Sequence, residues 1–137
     1  MRSRRGCSRA TPDLIPYLIT VTMIVTSQEA LKRSFVGVDF LLLSHGKESM
    51  VTKMLYKNGN TVPGHKHPNE QSGYVISGKY ILILEDARHK IGPGDSYTIP
   101  SNAEHAIEII EPGEVLDFFS PPRQDYLRHH QAPMLDI

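Results

Sequence analysis

Turn chemistry cuts this chain into short pieces. His45-Gly46, Asn58-Gly59-Asn60, Ser77-Gly78, Glu85-Asp86, Gly92-Pro93-Gly94, Pro100-Ser101-Asn102 and Glu111-Pro112-Gly113 each separate one apolar run from the next. The runs between them predict strands at Val36–Ser44, Ser49–Tyr56, Gly73–Ile76, Tyr80–Leu84, Ala87–Ile91, Ser96–Ile99, Ala106–Ile110 and Val115–Ser120, with a ninth extended segment around His65. Nothing after Lys32 repeats at the helical period. Nine short strands at this spacing predict an all-β antiparallel sandwich or barrel. Upstream, Ser27 before Gln28-Glu29-Ala30-Leu31-Lys32 predicts a short helical turn with Ser27 as its N-cap.

At 137 residues the chain is one domain with room for a core. Fifteen basic and fifteen acidic residues balance, which argues against nucleic acid and membrane surfaces as partners, since both demand a basic excess. The one basic cluster, Arg2, Arg4, Arg5 and Arg9, lies outside the patterned region. Residues 1–22 pair that cluster with an apolar run that Asp13 and Pro16 interrupt, and no small-residue cleavage site follows. The run is also short of the roughly 20 residues that span a bilayer. Residues 1–22 therefore read as an extension, 23–125 as the barrel and 126–137 as a tail. A lone cysteine, Cys7, excludes an internal disulfide and suits a reducing, cytoplasmic setting.

The chemistry concentrates in His65-Lys66-His67-Pro68-Asn69-Glu70-Gln71. On an extended segment the two histidines, two apart, point to one face, and converging imidazoles are the commonest ligands for a first-row metal. Residue 71 shares their parity and residue 70 does not, so Gln71 is the expected further ligand and Glu70 its rival.

Gly59, five residues, His65-x-His67, three residues, Gln71, six residues, Gly78 resembles the first cupin motif, with Gln where Glu is usual. Gly94-Asp95, four residues, Pro100, four residues, His105 resembles the second. Asn102 stands where that motif has Gly, a mild departure because Asn tolerates the left-handed conformation. Ile109 replaces an Asn outside the metal shell. The resemblance implies a double-stranded β-helix, or jelly-roll, barrel in which His65, His67, Gln71 and His105 bind one divalent transition metal; Zn, Ni, Mn and Fe all suit such ligands.

Three neutral imidazoles and an amide leave the ion's charge uncompensated, which favours an anionic oxygen ligand over oxygen chemistry. Asp117-Phe118-Phe119-Ser120-Pro121-Pro122-Arg123, together with Gln71, looks like the pectin-degradation cupins that ketonise unsaturated uronates. Carried over, Asp117 handles protons, Phe119 packs the sugar ring and Arg123 clamps a carboxylate. Of the strand tyrosines, Tyr74 is the candidate to reach the pocket. The expected function is metal-assisted proton transfer on a small acidic sugar or keto acid. A non-catalytic ligand-sensing module and an iron-dependent dioxygenase are the alternatives. Open sheet edges predict a homodimer.

Overall fold

The computed structural model describes residues 23–128. The chain order is β1 (Leu31–Phe35), β2 (Val38–His45), β3 (Met50–Tyr56), β4 (Thr61–His65), β5 (Glu70–Val75), β6 (Lys79–Leu84), β7 (Ala87–Ile91), β8 (Ser96–Ile99), β9 (His105–Glu111), β10 (Gly113–Ser120) and α1 (Gln124–Leu127). Six strands form one sheet in the order β1-β2-β3-β10-β5-β8, and four form the other in the order β4-β9-β6-β7. Every pairing is antiparallel.

Alternation builds the core between the sheets. Along β3, Met50, Thr52, Met54 and Tyr56 face in while the residues between them are half exposed. Along β10, Val115, Asp117 and Phe119 face in. The apolar ones, Met50, Met54, Tyr56, Val115 and Phe119, pack with Val38, Phe40, Val75 and Tyr80 into one cluster. Each such side chain contributes roughly 1.5–3 kcal/mol on leaving water. The polar residues Thr52, Gln71 and Asp117 share this inward surface.

The N-terminus departs from the sequence reading. The predicted helix at Ser27 is a single turn: the Glu29 amide donates to the Thr26 carbonyl at 3.0 Å and the Thr26 amide to Glu29 Oε1 at 3.1 Å. One turn does not repay the entropy of nucleation. Leu31–Phe35 instead pairs in register with β2, from Leu31↔Leu42 to Phe35↔Val38. The hairpin between them turns at Val36 and Gly37, both at positive φ (43° and 85°). A β-branched residue rarely adopts that conformation, so Val36 had read as strand.

The tail from Pro121 also folds. Tyr126, one position past the boundary predicted for the barrel, is 2% exposed and stacks in the core against Phe40 and Phe119. The predicted 1–22 extension, with Cys7 and the arginine cluster, lies outside the described residues, as does the tail beyond Arg128.

Candidate metal centre

β4 lies at the edge of the four-stranded sheet, where Pro63 costs no ladder bond. Its pairing with β9 runs Thr61↔Glu108 and Val62↔Ile107, then resumes at His65↔His105. Three steps on β4 match two on β9, so Pro63-Gly64 carries a bulge of one extra residue. The insertion resets parity. His65 turns to the side that His105 already faces, and their ring centroids stand 4.2 Å apart.

His67 completes the group, 4.9 Å from His105 and 5.6 Å from His65 between ring centroids. One ligand nitrogen from each lies within 4.8 Å of the others, and three such histidines could hold a metal ion. Each ring is clamped by a backbone carbonyl. Nδ1 of His65 donates to Pro63 O (3.0 Å), Nδ1 of His67 to Asn69 O (3.0 Å) and Nδ1 of His105 to Ala103 O (2.9 Å). That tautomer leaves Nε2 as a bare lone pair on all three. Burial, with Arg123 adding to it, pushes His67 and His105 down to about 4, and His65 is lowered as well. All three are neutral at pH 7.

Two observations fit a cation here. His105 Nε2 is buried with no hydrogen-bond partner. His67 Nε2 faces the Gln71 Oε1 at 3.1 Å. With Nδ1 carrying the proton, that contact sets two acceptors against each other, and an ion coordinated between them removes the conflict. Gln71 is buried on the inward face of β5, while its neighbour Glu70 is exposed.

Asp117 lies deeper, 3% exposed. Burial raises its pKa to about 6, against the pull of the Tyr97 hydroxyl, the Gln71 amide and Arg123. Tyr97 Oη donates to Asp117 Oδ1 at 2.6 Å. The register explains the reach: Asp117 pairs with Gly73, and Gly73 pairs with Tyr97 on the far side. A Cβ at Gly73 would collide with the Tyr97 ring, so the ring crosses a gap that glycine leaves open.

Arg123 is 6% exposed. Its guanidinium lies over the rings of Tyr126 (4.1 Å), Phe35 (4.9 Å) and Phe119 (5.5 Å). Nε and Nη2 hold Asp125 at 3.2 and 2.8 Å, and Nη1 donates to the Tyr126 hydroxyl at 3.1 Å. His65, Gln71, His105, Asp117, Phe119 and Arg123 line one inner chamber of about 30 Å³. His67 joins them through its contacts with Gln71 and Phe119.

Tyr74 does not reach this chamber; it is 45% exposed on the outer face of β5. Tyr97 takes that place, and the sequence signal was the glycine opposite it. Asn69 went unnoticed, yet its amide ties the histidine segment to the Pro121 and Pro122 carbonyls at 2.7 and 3.3 Å. Asn102 holds φ 64° and donates its backbone N–H to His67 O at 2.8 Å, so the second motif is stitched to the first.

Two antiparallel sheets closing over an inward histidine cluster define a jelly-roll cupin, and the family model "Cupin domain" matches residues 52–119. The chain is a cupin similar to the pectin-degradation cupins. It is 29% identical over 93 residues to the pectin degradation protein KdgF of Dickeya dadantii, covering 66% of this chain and 84% of that one. The structure of KdgF from Halomonas sp. superposes with a TM-score of 0.70 at 27% identity, covering 77% of this chain and 98% of that one. An RmlC-like cupin from Shewanella frigidimarina shares the fold, with a TM-score of 0.72 at 23% identity over 77% of this chain and 96% of the other. Among the described residues no helix is long and apolar enough to cross a membrane.

Proposed function

We propose that this protein is a metal-dependent isomerase that ketonises an unsaturated uronate or a closely similar small acidic sugar. The observation that carries the reading is one chamber shared by the histidines, a buried carboxyl and a buried guanidinium. His65, His67, His105 and Gln71 would hold one divalent ion, which when bound supplies a Lewis acid for an enol or carbonyl oxygen. Gln71 is oriented for this role from behind, its amide N–H directed at Asp117 and its oxygen at His67.

Asp117 carries the proton. In the metal-free protein burial raises its pKa to about 6, so the carboxyl holds a proton more readily than an exposed one, which suits a general acid–base group. Ring opening breaks the bond between C1 and the ring oxygen, passes the anomeric hydroxyl proton to that oxygen and leaves a C1 aldehyde and a C5 enol. The enol then gains a proton at C4 and loses one from oxygen, so a group that gives and recovers protons suffices for the isomerisation. Arg123, which lines both the inner chamber and the groove outside it, binds the substrate carboxylate through the N–H bonds that Asp125 and Tyr126 leave free. Phe119, expected from the sequence to pack the sugar ring, is instead buried in the inner chamber against the His67 ring and the Arg123 guanidinium. The assembly is read as a homodimer, since among the described residues β1 ends its sheet and Leu31 and the preceding Met23 and Ile24 are exposed.

The test is turnover of a 4,5-unsaturated monouronate by metal-loaded protein. Activity that vanishes in Asp117→Asn at constant metal content supports the reading. Tight binding without conversion would favour a sensing module, and oxygen consumption with iron(II) a dioxygenase.

A further inference from the structure

Asn69 touches both the histidine cluster and the Arg123 segment, and it is buried. Its backbone carbonyl accepts from Nδ1 of His67 at 3.0 Å. Its side-chain amide crosses to another part of the chain and donates to the carbonyls of Pro121 (2.7 Å) and Pro122 (3.3 Å). One residue therefore orients a metal-ligand ring with its main chain and holds the approach to Arg123 with its side chain.

The sequence makes that amide hard to replace. Pro121, Pro122 and Arg123 alone link β10 to α1, and they present three carbonyls against a single N–H. The Arg123 carbonyl finds the Tyr126 amide at 3.1 Å, and Asn69 meets the two proline carbonyls. An amide has two N–H bonds to give, where a hydroxyl has one O–H.

The guanidinium does not fix its own place relative to the histidines. Nε, Nη1 and Nη2 all bond within their own segment, to Asp125 and Tyr126. Toward the cluster it meets rings: Phe35, which stands 5.5 Å from the His65 ring, and Phe119, which stands 5.8 Å from the His67 ring. Ring contacts set a distance, whereas a hydrogen bond also sets a direction. A groove of about 580 Å³ outside the chamber is lined by both segments, with His65, His67 and Asn69 from one and Pro121, Pro122 and Arg123 from the other. A ligand that reaches the histidine centre and the guanidinium together spans the two, and a shift of about 1 Å between them is costly.

We infer that Asn69 is a positioning residue for the anion clamp: its amide sets where Arg123 stands relative to His65 and His67, and so which carboxylates reach the clamp and the metal centre at once. The second half rests on the uronate reading above; the first does not.

The experiment compares the full chain with Asn69→Leu, which removes both donors at similar volume. The first readout needs no ligand. In ¹⁵N-labelled protein the Arg123 Nε–H resonance, assigned by its loss in Arg123→Gln, exchanges with solvent at least about tenfold faster in Asn69→Leu, while the backbone amides of β9 exchange as before. The second is calorimetric titration of metal-loaded protein with galacturonate, a saturated monouronate with no double bond to ketonise. Asn69→Leu weakens it about tenfold in the parent and less than about twofold in the Arg123→Gln background, with metal affinity by chelator competition unchanged. Asn69→Ala, which adds no bulk, supplies the same comparison if the leucine variant does not fold. An unchanged Arg123 resonance, an equal loss in both backgrounds, or a loss that follows metal affinity would overturn the inference. A loosened Arg123 in a protein whose parent binds no galacturonate leaves the positioning role standing and removes the uronate reading.

Discussion

His65 and His105 are direct cross-strand partners, although forty positions separate them in sequence, and a one-residue bulge at Pro63-Gly64 makes their side chains meet. Without the extra residue, strand parity would turn His65 to the outside. Deleting Gly64 is therefore expected to weaken metal binding at least about 100-fold while the sheet signal in far-UV circular dichroism persists. A chelator competition titration measures the first and circular dichroism the second.

The Tyr97–Asp117 contact depends on the gap at Gly73. Gly73→Ala forces the ring aside and is expected to cost about 1–3 kcal/mol in urea unfolding. Tyr97→Phe keeps the packing and removes a hydrogen bond to a carboxylate, worth about 1.5–3 kcal/mol when that group is charged. The Tyr97→Phe penalty should fade below pH 6, where Asp117 becomes protonated.

Asp117 also sets a pH dependence in the metal-free protein. Its folded pKa, about 6, lies above the ordinary 3.8. The folded state therefore holds the proton more tightly, and stability from this group is full below pH 4 and lost as pH rises through 6. Two units correspond to about 3 kcal/mol. Asp117→Asn removes this component, so the stability difference between variant and parent grows in the variant's favour from pH 4 to pH 7. Urea midpoints across that range measure it.

Arg123→Lys preserves the charge and loses the planar fork that holds Asp125, caps Tyr126 and stacks on three rings. A loss of about 1.5–3 kcal/mol in carboxylate binding is expected, roughly a tenfold to hundredfold rise in KM for a uronate substrate. Steady-state kinetics at constant metal loading check it.

Turns and motif spacing made the sheet-rich fold and the histidine cluster legible before any coordinates. Gly59, Gly78, Gly94 and Asn102 all adopt the left-handed backbone their positions implied. β1 was hidden because Leu-Lys-Arg-Ser-Phe lacks strand patterning, and because its turn uses a valine where glycine or asparagine is expected. Tyr126 and the short α1 were hidden because their helix is a single turn that only tertiary packing sustains. Tyr97 and Tyr74 sit on paired strands as Gly73↔Tyr97 and Tyr74↔Ser96, one residue apart in register. Which of them enters the chamber is a question of parity that composition does not answer.

Each histidine is fixed by its own neighbouring carbonyl, and the hydrophobic cluster that closes the barrel is built from other side chains. The rings are thus aimed before an ion arrives, and ion binding does not have to organise the chain. Exchange of one ion for another at this site would therefore leave the fold unchanged, as a socket is when the fitting is changed.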